Sequence, residues 1–307
     1  MKYLVTGGCG FIGSHIVEAL LAGGGSVRVL DNLSSGYERN LATVRKQVEL
    51  VVEDVRHPDA LSIAMQGVDY VFHEAALVSV FDSVERPIDN HEINITGTLN
   101  VLQAARAANV KRVVVASSAA IYGDDRTIPK REDMLPKPAS PYGLAKIAKE
   151  YYMSIFAQLY GMETVSLRYF NVYGPRQDPK SMYSGVISKF CDVVQAGQNL
   201  MIFGDGRQTR DFVYVGDVVQ ANLKAMHTAG IGKGNVYNIG TGVQTSLLEL
   251  VEALRDITGR KFTVEHKPAR AGDVTDSLAD ITRARSELNY APQMPIRDGL
   301  RRLLKAC

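Results

Sequence analysis

The chain has 307 residues, 46% hydrophobic and 22% charged, with a formal net charge of +2, the composition of a soluble enzyme with a sizeable core. So small a charge excess argues against nucleic acid or a membrane surface as partner, and no apolar run reaches the roughly 18 residues that a bilayer span needs. Cys9, Cys191 and Cys307 are widely spaced, and the six histidines are scattered, so neither a disulfide framework nor a metal site is expected, and a cytoplasmic protein is.

The chain begins with an apolar run at Tyr3–Val5, then Thr6-Gly7-Gly8-Cys9-Gly10-Phe11-Ile12-Gly13, then a helical pattern to about Ala22. Strand, glycine turn and helix in that order make a dinucleotide site. The glycines allow a tight turn, close backbone approach to a pyrophosphate and close helix packing. Free amides at the helix start, from Phe11 and Ile12 on, meet the phosphates. Two registers fit, Gly8-x-Gly10-x-x-Gly13 and Gly7-x-x-Gly10-x-x-Gly13.

Further along, Val27–Leu30, Leu50–Val52, Val68–Phe72, Arg112–Ala116 and Thr164–Leu167 read as buried strands. Helical patterns lie between them near Tyr37–Arg45, Pro58–Met65, Asn90–Ala108 and Tyr142–Tyr160. This alternation predicts a Rossmann-type, doubly wound parallel sheet, with ligands outside the carboxyl ends of its strands. Asp31, eighteen residues after Gly13, is placed to accept both ribose hydroxyls and to repel a 2′-phosphate, which selects NAD over NADP. Asp54 follows the third strand, within reach of an adenine. The small residues Ala75 and Ala76 follow the fourth and let a cofactor lie against the backbone. Asn94, polar amid apolar neighbours, is a candidate support for the site.

After the fifth strand come Ser117 and Ser118, and then Tyr142 and Lys146 at i and i+4, which a helix puts on one face. A free tyrosine ionises near pH 10, and a neighbouring lysine favours its phenolate; every tenfold gain in the ionised fraction takes roughly 1.4 kcal/mol. Ser118 is placed to donate to an oxygen that becomes a carbonyl.

Taken together, Thr6-Gly7-x-x-Gly10-x-x-Gly13, Ser118 and Tyr142-x-x-x-Lys146 resemble the extended short-chain dehydrogenase/reductase family. Leu167-Arg168-Tyr169-Phe170-Asn171-Val172-Tyr173-Gly174-Pro175, Phe203-Gly204-Asp205-Gly206, Arg210-Asp211-Phe212, Asn238-Ile239-Gly240 and Gly272-Asp273 narrow the likeness to its sugar-nucleotide branch. The resemblance implies an NAD-binding domain of residues 1–172 plus about 213–243. It also implies a smaller mixed α/β substrate domain of about 173–212 plus 244–307, closed by amphipathic helices at Asp280–Leu288 and Pro295–Lys305. It adds Asn32, Gly36, Val55, Asn94 and Tyr169 to the NAD site, which also includes Ser117, Tyr142 and Lys146. For a UDP-sugar it implies Val78, Ser79, Asn171, Val186, Phe203 (against uracil), the clamps Arg210 and Arg270, Asp273 (on the uridine ribose) and Ser277, beside Ser118 and Tyr142.

Related dehydratases and decarboxylases carry acids just after the catalytic serine, where this chain has Ala119 and Ala120. That leaves oxidation and return at one carbon, a 4-epimerisation with tightly bound NAD. Ser277, small where a tyrosine would crowd an N-acetyl group, makes the chain most similar to UDP-N-acetylglucosamine and UDP-glucose 4-epimerases. A UDP-glucuronate 4-epimerase, a 4-keto-sugar reductase and a non-enzymatic NAD-sensing regulator are the alternatives. The long helical patterns Asn90–Ala108 and Tyr142–Tyr160 resemble those that pair in family homodimers.

Overall fold

The computed structural model describes residues 1–178, 185–269 and 275–306. In chain order these form β1 (Lys2–Thr6), α1 (Phe11–Ala22), β2 (Ser26–Leu30), β3 (Val48–Val51), α2 (Pro58–Ala64), β4 (Tyr70–His73), α3 (Val80–Glu85), α4 (Pro87–His91) and α5 (Gly97–Ala107). Then come β5 (Arg112–Ser118), α6 (Pro141–Tyr160), β6 (Glu163–Tyr169), β7 (Asn171–Tyr173), α7 (Val186–Gln195), β8 (Leu200–Phe203), β9 (Thr209–Arg210), β10 (Phe212–Tyr214) and α8 (Val215–His227). The last are β11 (Lys233–Ile239), β12 (Thr245–Ser246), α9 (Leu247–Thr258), β13 (Val264–Lys267), α10 (Thr282–Leu288) and α11 (Ile296–Ala306).

Seven strands make one parallel sheet in the order β11-β6-β5-β4-β1-β2-β3, the doubly wound arrangement expected from the alternating apolar runs. Strand order reverses between β1 and β4, where a crevice opens at the carboxyl ends. Both faces of the sheet are covered, as a parallel sheet requires. One apolar layer gathers Ile16, Val17, Val218 and Met226, and the other gathers Leu61, Leu102, Met153 and Phe156. A third core, with Phe190, Ile202, Leu250 and Leu300, lies under α7, α9 and α11.

Four expectations are corrected. Tyr37–Arg45 is not an α-helix but irregular chain with short 3-10 turns at Glu38–Leu41 and Arg45–Gln47. The Tyr37 amide (3.0 Å) and the Asn40 side chain (2.8 Å) both donate to the Cys9 carbonyl, which ties this segment over the glycine turn. The long helix at Asn90–Ala108 instead starts at Pro87 and swells into a π-turn at Glu92–Thr96 before α5. Helix α3 is additional to the expected elements; Ser79 caps it by accepting from the Asp82 amide. Finally, α10 does not close the third core. Its Ala284 and Leu288 pack into the main layer beside Tyr237 and Ile239 of β11.

Candidate active site

A cleft of about 1350 Å³ runs along the carboxyl ends of the strands, from Asp31 and Asp54 at one end to Arg210 and Ser277 at the other. At its centre, β1 turns into α1 through Gly7, whose φ of +70° suits a residue without Cβ. A Cβ there would also lie 2.7 Å from the Ala75 amide nitrogen. At Gly13 a Cβ would run into the Gly7 carbonyl oxygen, closer than any real contact. These two positions decide for the register Gly7-x-x-Gly10-x-x-Gly13; Gly8 instead faces Val29. Gly10 caps α1 without a side-chain partner, and no acid stands in the first turn, so the helix start keeps its attraction for anions.

Asp31 directly follows β2, with Oδ2 accepting from the Cys9 amide (2.9 Å) and Oδ1 from the Leu33 amide (2.8 Å). Burial raises its carboxyl above the usual range while these two amides oppose the rise. Asn32 donates to Asp54 (2.7 Å), which also holds Arg56 in a two-point ion pair that keeps the Asp54 carboxyl down at about 2. The glycine turn, the uncapped helix and an acid at the ribose position fit a dinucleotide. Gly36, Val55, Ala75, Ala76, Ser117 and Tyr169 line the same wall.

Tyr142 and Lys146 project from the first turns of α6, which Ser140 caps by accepting from the Gly143 amide. The Lys146 ammonium donates to the Ala116 carbonyl (2.9 Å) and stands 5.4 Å from the centre of the Tyr142 ring. Ser118, at the end of β5, accepts from the Ala120 amide (3.1 Å), an arrangement that leaves its O–H to donate. All three line the cleft.

Behind them lies a buried network. Arg168 on β6 forks onto both carboxylate oxygens of Glu150 on α6 (2.9 and 2.7 Å), and Ser117 donates to the same carboxylate (2.5 Å). Arg168 also donates to the Tyr122 hydroxyl, which donates to Asn238 on β11 (2.7 Å). Asn238 in turn donates to the Lys130 and Asp280 carbonyls.

Several residues for which the sequence predicts no contact of this kind hold this arrangement. Ser83 of α3 accepts from the Tyr142 amide (3.1 Å), and Asn90 donates to the Pro141 carbonyl (3.1 Å). Asn94, expected at the NAD site, is instead fully buried and does not line the cleft. It spans the Leu77 backbone at both N–H and C=O and donates to Asn90, so its place in the π-turn makes it a support for the cleft wall. Asp211, fully buried, accepts from Thr241, Gly242 and Ala279 and so anchors the segment that carries Ser277. The local signals were the Ser-x-x-Asp spacing at Ser79 and the polarity of Asn94 among apolar neighbours.

On the substrate side, Val78, Ser79, Asn171, Val186, Arg210 and Ser277 line the cleft. Ser79 spends its hydroxyl acceptor on capping α3. The Ser277 amide donates to the Thr209 carbonyl (3.2 Å). Phe203 ends β8 and is not among the lining residues. Arg270 and Asp273 lie outside the described residues.

Residues 3–240 match the family described as NAD dependent epimerase/dehydratase. A UDP-glucose 4-epimerase of Mycolicibacterium smegmatis is 41% identical over 304 residues, covering 98% of this chain and 96% of that protein. The crystal structure of a UDP-glucose 4-epimerase from Thermotoga maritima, with UDP-glucose, superposes with a TM-score of 0.94 at 40% identity, covering 100% of this chain and 98% of that one. A UDP-N-acetylglucosamine 4-epimerase from Methanobrevibacter ruminantium, in complex with UDP-N-acetylmuramic acid, gives 0.95 at 37% identity, covering 99% and 97%.

Glu74 lines the cleft and accepts from the Tyr169 hydroxyl (3.0 Å). Burial holds its carboxyl up at about 7, against 4.5 for a free glutamate. Between those values the folded state keeps a proton that the unfolded state has released, so folding stability falls as pH rises through that window. Glu74→Gln removes this slope. Relative to the variant, the wild-type protein is expected to lose on the order of 2 kcal/mol between pH 4.5 and 7, allowing for solvent in the cleft. Chemical unfolding at a series of pH values measures it; parallel curves for the two proteins would refute the assignment.

Proposed function

The chain belongs to the NAD-dependent epimerase/dehydratase family, and from that premise we propose which residues perform its reaction and which sugars it takes. The chain is an NAD-dependent UDP-sugar 4-epimerase. NAD, when bound, supplies a two-electron acceptor for the hydride at C4 of the sugar. Gly7, Gly10 and the start of α1 would hold its pyrophosphate and Asp31 its adenosine ribose.

In this reading the chain's own residues handle the proton and the developing charge. Tyr142, as phenolate, takes the proton of the C4 hydroxyl and later gives it back. Ser118 donates to the C4 oxygen as that oxygen changes from hydroxyl to carbonyl and back. Lys146 places a cation beside the tyrosine ring, which favours the phenolate. Between the two half-reactions the 4-keto sugar turns its other face to the cofactor. The residues that follow Ser118 in the cleft lining, Ala119 and Ala120, are small and leave room for that turn beside Ser118. The observation that carries the reading is Ser118, Tyr142 and Lys146 converging on one cleft with the glycine turn. Tyr142→Phe should lower epimerisation at least about 100-fold, the scale of one acid–base group. An NMR assay on UDP-glucose with no added cofactor checks this. Unchanged turnover would reject Tyr142 as base.

The substrates we assign are UDP-N-acetylglucosamine and UDP-N-acetylgalactosamine, together with UDP-glucose and UDP-galactose. Support comes from Ser277, a small side chain on the cleft wall. Filling that wall with Ser277→Tyr is expected to reduce turnover of the acetylated pair about 10-fold or more, with UDP-glucose turnover retained. Equal losses on both pairs would remove Ser277 as the gate.

We also propose that two copies pack through α6. Leu144, Tyr151, Ile155 and Leu159 are 56%, 58%, 43% and 69% exposed and fall on one side of that helix, an apolar stripe that a second copy would cover. Sedimentation should give a dimer that Ile155→Glu with Leu159→Glu splits into monomers; a wild-type monomer at micromolar concentration would count against it.

A further inference from the structure

Three separate stretches of chain meet at Thr209. Strand β9, which it begins, pairs antiparallel with β12 in the register Thr245↔Arg210 and Ser246↔Thr209. On its other edge a parallel bridge joins Thr209 to Asp276. The Thr209 amide donates to the Thr275 carbonyl (3.0 Å), and the Thr209 carbonyl accepts from the Ser277 amide (3.2 Å) and from Nη1 of Arg210 (2.8 Å). The same Nη1 also donates to the Thr275 carbonyl (3.3 Å).

The Thr209 hydroxyl is used in both senses. Oγ1 donates to Oδ1 of Asp276 (2.5 Å) and accepts from Nε2 of Gln244 (2.6 Å), just before β12. Arg210, Asp276 and Ser277 line the cleft, whereas Thr209 and Gln244 do not. One hydroxyl behind the wall thus ties together the segments that carry the wall's residues. A valine at position 209 would keep every backbone bond and lose both of these. The bond to Asp276 is the charge-assisted and stronger kind, and the Gln244 amide would lose an acceptor as well. A carboxylate on this wall without its donor attracts a guanidinium and repels a diphosphate, so it would compete for Arg210 with the ligand that Arg210 is read to clamp.

We propose that Thr209 is a positioning residue for the UDP-sugar. Its hydroxyl holds the Asp276 carboxylate to β9 and locks residues 275–277 in register, so that Arg210 and Ser277 meet the substrate at a fixed spacing. Thr209 itself touches neither substrate nor cofactor. The proposal rests on the reading of Arg210 and Ser277 as substrate contacts.

The test is Thr209→Val in NAD-loaded protein, read by steady-state kinetics on UDP-glucose and by calorimetric titration with UDP. KM and the Kd for UDP should both rise roughly 10-fold, the scale of one hydrogen bond to a charged group. The kcat should stay within about 2-fold, the mark of binding lost equally from ground and transition states. Thr209→Ser, which keeps the hydroxyl, should restore both constants. Unmoved KM and Kd in folded Thr209→Val overturn the proposal, as does a fall in kcat and thermal midpoint with both constants fixed. Should Thr209→Val not fold, Gln244→Met is read the same way, and loss of folding in both marks a structural residue and overturns it too. Titration with UDP needs no turnover, so a Kd that moves in a protein unable to epimerise UDP-sugars rejects the functional reading and keeps this one. An unmoved Kd in an active epimerase does the reverse, and a wild-type protein that binds no UDP overturns both.

Discussion

The fork of Arg168 onto Glu150 is the contact on which the geometry of the site depends. One carboxylate receives two guanidinium bonds and the Ser117 hydroxyl, so it joins β6, β5 and α6 at one buried point. Glu150 lies one turn beyond Lys146 and two beyond Tyr142 on the same helix, and Ser117 precedes Ser118. Fixing Glu150 and Ser117 together therefore fixes the distance between the tyrosine–lysine face and the serine. A buried ion pair is weak evidence for stability, since desolvation offsets most of its attraction. Its value here is register. An apolar contact would let α6 slide along the sheet by a fraction of an ångström, whereas a two-point fork tolerates little displacement.

The same network reaches the substrate side. Arg168 holds Tyr122, Tyr122 holds Asn238, and Asn238 holds the Lys130 and Asp280 carbonyls. Lys130 forms an isolated parallel bridge with Ala279, two residues past Ser277. Asp211 also fixes that segment, through the Ala279 amide. The wall proposed to face the sugar is thus built onto the frame that positions the catalytic groups, although its residues belong to the far end of the chain.

What the sequence made legible was local. The glycine turn, the serine at a strand end and the Tyr142–Lys146 spacing each declare themselves within a few residues, because strand and helix periods dictate which side chains converge. The residues that hold them were not legible. Ser83, Asn90 and Asp211 act on partners 30 to 68 positions away, and no local pattern encodes such a partner. Asn94 stands out for its polarity, but its reach to Leu77 depends on a π-turn that helical spacing does not reveal. Lys149-Glu150 reads as a pair of solvated charges; both are buried because α6 is covered by the sheet on one side and by α3 and α5 on others.

The placement of charge gives the cleft two unlike ends. At the cofactor end, Asp31, Asp54 and Glu74 are each held by amides, by Arg56 or by Tyr169, so little reorganisation is needed when a dinucleotide enters. At the sugar end the residues that follow Ser118 are Ala119 and Ala120, and Ser277 lines the same cleft with its amide already bonded. A reaction that returns its hydride to the opposite face of the same carbon requires this asymmetry. The cofactor must stay still while the sugar turns, and a polar group that gripped the ring away from C4 would favour one face and slow the other. Under the proposed reaction, bonds concentrated on Asp31, Asp54 and Glu74 and the short side chains of Ala119, Ala120 and Ser277 separate holding from turning within one cleft, which a reductase with a single stereochemical outcome has no need to do.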